Sequence, residues 1–364
     1  MERHKAYYDF IKYAIGSEAK VPQCCNDMDW RGLLDFCRRH SIAGVVFGAI
    51  EKLDNENIRL PQDVLFEWIG AAGSIKNKNR IIDRQAIAIS RFFEEKGYRS
   101  CILKGQANAT MYPRPELRSP GDIDIWVEGK TEDIIRLALQ EAPQGRYSRH
   151  HVKMPVFDDT SVEVHYRPIF LDNWLLDRRF KKILAEVEER QFTHRITLGG
   201  NNMQVGSLTD DFNSLYQMLH IWHHLLSTRN NLKQLLDYYY LLKRGLTSEE
   251  KDWTTRQFKW LGVEKYARGI MWIEQNVLGL DAQYLIVQPD EKIGRLLLRY
   301  VLSYGVRHKR SKAGLLIHRV TDNLPLMYHF PSAVLINPLY LIWHQWWKWS
   351  MKRKLKRNQD SCPS

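Results

Sequence analysis

Two spacings of apolar residues alternate along the chain, and they divide it. Between Tyr98 and Val205 short runs repeat every second position, the spacing of strands with one face in a core. Tyr98–Leu103 reads as a strand, Gly105–Met111 as a short helix, and DIDIWV (Asp122–Val127) as a second strand. Thr131–Glu141 is amphipathic, with Ile134, Ile135, Ala138 and Leu139 inward. His150–Phe157 and Ser161–Tyr166 read as a hairpin around Asp158–Asp159. A helix from Asp172 to about Glu189 and a hairpin of Gln191–Leu198 with Met203–Val205 complete this part.

Helical spacing takes over on both sides. Trp30, Leu33, Leu34 and Cys37 share one face, with Asp27 or Asp29 as N-cap, and an apolar helix continues from His40. Pro61 opens a long helical stretch that reaches Lys96 and ends at Gly97. From Ser207 the chain is helical again, to about Leu280 and over Asp290–Tyr304. The expectation is an α+β fold: a mixed sheet with flanking helices, preceded and followed by helical segments. Its parts are a helical region over 1–97, a core over 98–206, a helical domain over 207–330 and a Trp-rich basic tail over 331–364.

The chemistry concentrates in CILKGQANATMYPRPELRSPGDIDIWV, from Cys101 to Val127. Asp122 and Asp124 are two apart in a strand pattern, so both carboxylates leave one face while Ile123, Ile125 and Val127 leave the other. Either the pair is solvated on an edge strand, or a hard divalent ion such as Mg²⁺ offsets its repulsion and keeps room for phosphate oxygens. In SVEVHYR the residues Glu163 and His165 share a face in the same way, and Glu163 would complete a three-carboxylate cluster for two ions. Lys104 and the prolyl loop arginines, Arg114 and Arg118, are candidate partners for phosphate.

These motifs resemble the DNA-polymerase-β-type nucleotidyltransferases, and more closely a bacterial branch of uncharacterised nucleotidyltransferases. The resemblance runs from about Ile42 to Leu242 through LKG, YP, R-x-x-GDID and the later VEVHYR. It implies a polymerase-β-like core and transfer of a nucleoside monophosphate from an NTP, ATP by default, to an unidentified acceptor with release of pyrophosphate. By the same resemblance Asp122, Asp124 and Glu163 are catalytic and hold two Mg²⁺ ions, and Lys104, Gly105, Arg118 and Gly121, which fit its pattern, are expected to bind the nucleotide together with the neighbouring Gln106 and Arg114. The wider superfamily carries Gly-Ser at the turn where this chain has Gly105-Gln106, which bears on the triphosphate contact. The following helices would line the cleft with His220, His224 or Asp237, beside His165 on its strand. His220 and His224, one helical turn apart, form a metal-ligand pair or serve as core or substrate-facing histidines.

Charge and composition add partners to weigh. The net charge is +12, which suits anionic partners such as nucleotides, nucleic acid or a membrane surface, or a basic surface with none. Five cysteines with no C-x-x-C spacing point away from a disulfide framework or zinc site and toward the cytoplasm. No clean run of 18 apolar residues marks a membrane span. Phe330–Trp349 holds four of the twelve tryptophans and is followed by MKRKLKR. Such a tail either touches an anionic membrane surface, docks on the protein, or joins a second copy of the chain. The rival readings are therefore a catalytically inactive nucleotide-binding module and a membrane-peripheral or nucleic-acid-binding adaptor, with nucleic acid the less favoured partner.

Overall fold

The runs IDIWV and VEVH are rich in β-branched residues that fit a pleated, buried surface, and they form the centre of the sheet. The computed structural model describes residues 4–171, 173–199, 203–227, 231–303, 326, 328–331, 347 and 349–355. The chain opens with α1 (Lys5–Ala14), α2 (Trp30–Arg39), α3 (Ala43–Ile50) and the 34-residue α4 (Gln62–Glu95). Asp29 caps α2 by accepting a hydrogen bond from the Gly32 amide at 2.8 Å, and Pro61 caps α4.

The sheet segment follows as β1 (Ser100–Ile102), α5 (Gln106–Ala109), β2 (Ile123–Val127), α6 (Thr131–Glu141), β3 (Arg146–Tyr147), β4 (His151–Lys153) and β5 (Val162–His165). These strands make one mixed sheet in the order β1-β2-β5-β4-β3. β2 and β5 are parallel, with Asp124 opposite Glu163 and Trp126 opposite His165, and the remaining neighbours are antiparallel. Then come α7 (Trp174–Thr193) and the hairpin β6 (Arg195–Leu198) with β7 (Met203–Gly206). Gly206 is needed there: a Cβ on it would meet the Ser100 carbonyl oxygen at 2.1 Å. The chain continues through α8 (Asp210–Ser227), α9 (Leu232–Lys243), α10 (Ser248–Trp260), α11 (Glu264–Asn276) and α12 (Glu291–Leu302). The α+β architecture expected from the sequence is the one observed.

Strand alternation sorts the two faces of the sheet. Ile123, Ile125, Val127, Val152, Val162 and Val164 are buried in one core with Ile82, Ala86 and Phe93 of α4 and Ile134, Ile135 and Ala138 of α6. The other face carries Asp124, Glu163, His165 and His151, and Trp126 there joins the larger core of the terminal helices. A one-residue slip of β2 would expose three aliphatic side chains, each worth about 1.5–3 kcal/mol when buried, so the acidic face is fixed by the apolar one.

Several boundaries shift, among them that of β4, which spans only His151–Lys153, and that of β6, which begins at Arg195. β1 is shorter than Tyr98–Leu103, although Arg99 still pairs through its carbonyl with the Glu128 amide at 3.0 Å. α7 starts after Asn173, whose side chain accepts from the amides of Leu175 and Leu176, and runs past Glu189 to Thr193. Of the tail's four tryptophans, Trp343 and Trp346 lie outside the described residues. The described part touches the sheet segment. Trp347 meets the Tyr147 ring edge-on at 6.2 Å, Met351 is buried, and Lys354 pairs with Glu132 at 2.9 Å. Trp349 is 55% exposed. Among the described residues no helix is long and apolar enough to cross a membrane, and the four described cysteines are free.

Candidate active site

A polar cavity of about 330 Å³ opens where the β1–α5 turn, the start of β2 and one face each of α8 and α9 converge. Helical spacing supplies two of its walls. Tyr216, Gln217, His220, Ile221 and His224 fall on one side of α8, and Lys233, Gln234 and Asp237 on one side of α9. Lys104, Gly105, Asn108, Arg118, Gly121, Asp122, Asp124 and Asn231 complete the lining.

Asp124 is the pivot. Its carboxylate is buried and lies 3.1 Å from His165 Nε2 through Oδ1 and 3.4 Å from Lys104 Nζ through Oδ2. Burial alone would raise its pKa, but Lys104 and His165 outweigh that and bring it down to about 2. Asp124 Oδ2 is buried without a hydrogen bond, a lone-pair site facing the cavity side. Asp122, one residue before the strand, stays exposed at the mouth. Desolvation first, then the like charges of Asp124 and Glu163, push its pKa up.

Parallel pairing brings Glu163 beside Asp124. Donor atoms of Asp124, Glu163 and His165 lie within 4.8 Å of one another. Glu163 Oε1 pairs with Lys153 at 3.1 Å, and Oε2 lies 3.6 Å from His151 Nδ1 and 3.9 Å from His165 Nε2. An unbonded buried carboxylate oxygen, a second carboxylate in register and a third raised by their repulsion together fit a divalent cation.

The turn before α5 has a specific backbone demand. Gly105 adopts φ +64° and ψ −112°, and a Cβ there would come within 3.2 Å of the Asp122 carbonyl oxygen. α5 is a single turn, shorter than the Gly105–Met111 expectation, so little helix dipole stands behind the Gly105 turn. Lys104 donates to His220 Nε2 at 2.9 Å, which makes that nitrogen the acceptor and His224, at 3.1 Å, the second donor to it. Burial holds His220 well below the ordinary histidine value and His224 at about 4, with Lys104 adding to both, so the two rings are neutral.

Not every residue singled out in the sequence faces the cavity. Gln106 turns the other way, donating to Asp83 and, at 3.4 Å, to Asn79 on α4. Arg114 pairs with Glu51 and with Glu116 and lines a separate small pocket. Arg118 does reach the cavity wall, but its guanidinium is committed. Nε and Nη2 donate to the two Asp237 oxygens at 2.6 and 2.7 Å, and Tyr112 Oη donates to Asp237 at 2.6 Å. His165 sits beneath Asp124, outside the cavity lining, whereas His220, His224 and Asp237 form part of it.

Sequence reading missed Lys233. Its ammonium approaches Gly121, has no hydrogen-bond or ion-pair partner among the described residues, and is brought by burial, then by Arg118, to a pKa of about 8. The available signal was its position four residues before Asp237 on one helix face. His150 and His151 were also passed over; burial keeps both rings neutral, and they bond to each other at 3.1 Å.

Comparison with known proteins bears on this geometry. No curated protein matches the chain. The crystal structure of an antigenic nucleotidyltransferase-like protein from Paracoccidioides brasiliensis matches at 10% identity and a TM-score of 0.34, over 61% of this chain and 96% of that one. A family model described as uncharacterised nucleotidyltransferase matches residues 26–279, well over half of the 364. The chain belongs to that family of uncharacterised nucleotidyltransferases.

Proposed function

We propose that this protein transfers a nucleoside monophosphate from an NTP to an acceptor nucleophile and releases pyrophosphate. One observation carries the reading. The buried, unbonded Asp124 Oδ2 lies on the carboxylate side of a cavity that also holds two lysines, Lys104 and the unpaired Lys233. Carboxylates beside cations across a cavity suit a cation-bound polyphosphate better than an anion or a cation alone. At about 330 Å³ the cavity is at the low end for ligand sites, of the order of a few hundred Å³.

Divalent ions held by Asp122, Asp124 and Glu163, Mg²⁺ in the first instance, would supply charge neutralisation and a more acidic nucleophile. The chain's own residues then divide the remaining work. Lys104 and Lys233 neutralise phosphate oxygens, and phosphate binding favours the charged form of Lys233. Asp237 fixes Arg118 and with it the loop that carries Gly121 and Asp122. Asn108, Asn231 and Gln234 offer amides along the lining. Glu163, held by Lys153, is the carboxylate on the acceptor side and takes the proton that the nucleophile loses.

Incubation of the protein with each α-labelled NTP, a divalent cation and cell extract tests this. Label should enter one acceptor, and Asp124→Asn should abolish the transfer. A second reading, nucleotide binding without transfer, is favoured by the Gln106 side chain facing α4 in place of a turn hydroxyl. It predicts NTP binding with no labelled acceptor under any cation. Absence of both binding and label would sink both readings.

A further inference from the structure

Building on the nucleotidyl-transfer reading, we infer that His165 is a metal ligand through Nε2, and that the ion it shares with Asp124 and Glu163 is a first-row transition ion rather than Mg²⁺. The argument starts from the ring's two neighbours. His165 Nδ1 lies 3.3 Å from the Arg167 carbonyl oxygen, and Nε2 lies 3.1 Å from Asp124 Oδ1. Both partners are acceptors, and a neutral imidazole has one N–H to give. Without a metal, therefore, either nitrogen can carry the proton, whereas a cation at Nε2 selects the tautomer with the proton on Nδ1, against the carbonyl. The Nε2 lone pair then points at one carboxylate at 3.1 Å and a second, Glu163, at 3.9 Å. Three such donors at these distances repel one another; Lys104, 3.4 Å from Asp124 Oδ2, and Lys153, 3.1 Å from Glu163 Oε1, offset part of the charge, and a cation among the three donors would offset the rest.

A metal ion satisfies all three at once. Histidines that ligate metals typically donate their other ring N–H to a carbonyl or carboxylate, the contact that Nδ1 makes with Arg167. The β2–β5 register makes the placement a property of the fold. Glu163 faces Asp124 across the parallel pair, and His165 follows Glu163 on the same face. The donor set is two oxygens and one nitrogen, all within 4.8 Å. Mg²⁺ prefers oxygen donors and near-ideal octahedral geometry, whereas imidazole with carboxylates suits ions such as Mn²⁺, Fe²⁺, Co²⁺ or Zn²⁺. His150, His151 and His165 also bring ring nitrogens within 4.8 Å, but the facing nitrogens of His150 and His151 are engaged with each other at 3.1 Å. His151 instead orients Glu163 from 3.6 Å. Asp122 is outside this donor set, so an ion it holds with triphosphate oxygens keeps an all-oxygen shell.

Mn²⁺ is the probe, because it is paramagnetic and its pulsed EPR spectrum reads directly bound nitrogen. The full chain, without nucleotide, should bind Mn²⁺ and show a ¹⁴N coupling that becomes a ¹⁵N coupling when the histidines are ¹⁵N-labelled. His165→Gln should lose the coupling and bind Mn²⁺ about tenfold or more weakly, while His150→Gln and His151→Gln keep it. Mg²⁺ should displace the ion only at more than tenfold excess. If His165→Gln fails to fold, the labelled wild type together with the coupling retained in the other two variants and in His220→Gln and His224→Gln identifies the ligand. Mn²⁺ bound in an Asp124-dependent way with no nitrogen coupling overturns the inference and leaves nucleotidyl transfer standing. A coupling that survives His165→Gln, or displacement by equimolar Mg²⁺, also overturns it. Failure to bind any Mn²⁺ removes the metal site on which both readings depend.

Discussion

Asp237→Ala removes the carboxylate to which Arg118, the Tyr112 hydroxyl and the Asn108 amide all donate. The side chains of Arg118 and Asp237 are 3% and 8% exposed, so the change leaves a guanidinium charge buried beside the cavity with no carboxylate partner. Removing one member of a buried pair costs about 3–5 kcal/mol, because the survivor has lost the group that offset its desolvation. The orphaned Tyr112 hydroxyl pushes the loss toward the upper end of that range. Arg118→Met should fall toward the lower end, since Asp237 keeps two donors. The double variant Arg118→Met/Asp237→Leu should recover part of the loss, because no unpaired charge remains buried. Urea unfolding followed by far-ultraviolet circular dichroism measures all four proteins. An Asp237→Ala loss below about 1 kcal/mol, or a double variant as costly as the two singles added, would refute the buried-pair account. Acid supplies a second check. Burial raises the Asp237 pKa, but Arg118 outweighs burial and holds it below its ordinary value. Its contribution is therefore present above the unfolded value of about 3.9 and is lost as pH falls through the lower folded value. The gap between wild type and Asp237→Ala should narrow in acid, and widening there would contradict the sign.

Three further outcomes follow from the same site. Asp122→Asn should abolish label transfer yet raise the melting temperature of the metal-free protein, since it relieves repulsion by Asp124 and Glu163; differential scanning fluorimetry in EDTA reads it. Gly105→Ala should cost about 1–3 kcal/mol in urea unfolding, because φ +64° with ψ −112° is strained for a residue with a Cβ. NTP affinity measured by equilibrium dialysis should fall as pH rises through about 8, where Lys233 loses its proton, and Lys233→Met should weaken binding and flatten that dependence.

Local chemistry made much of the fold legible. The Thr131–Glu141 helix appears with the bounds its apolar spacing gives, and the long α4 lies between the stops at Pro61 and Gly97. Alternation in DIDIWV and VEVHYR put the acids on one face and the aliphatics on the other, since a strand has no third direction. Register was not legible. That Asp124 faces Glu163 depends on β5 lying parallel beside β2, with α6 and the β3–β4 strands intervening in sequence. Nothing local to either strand encodes that choice.

The cations of the site show why nearness in sequence is a weak guide to nearness of charge. Arg114 and Arg118 stand closest to the Asp122–Asp124 pair along the chain, and so read as phosphate partners. A buried or semi-buried guanidinium needs a fixed carboxylate to offset its desolvation, and each of these has one: Glu51 and Glu116 for Arg114, Asp237 for Arg118. A group committed in this way holds a loop in place and has little left to give a ligand. Among the described residues, the cavity ammonium without a partner comes from α9, more than a hundred residues away, where a helix turn brings Lys233 to the cavity. Its pKa near 8 shows that no carboxylate fully offsets its burial, which leaves that role to an incoming anion. The same reasoning tempers the net charge of +12: Arg99 is held by Glu128 and Glu189, and Arg167 by Asp177. Charge available to a ligand is set by which cations the fold leaves unpaired, a property of tertiary contacts that composition does not contain.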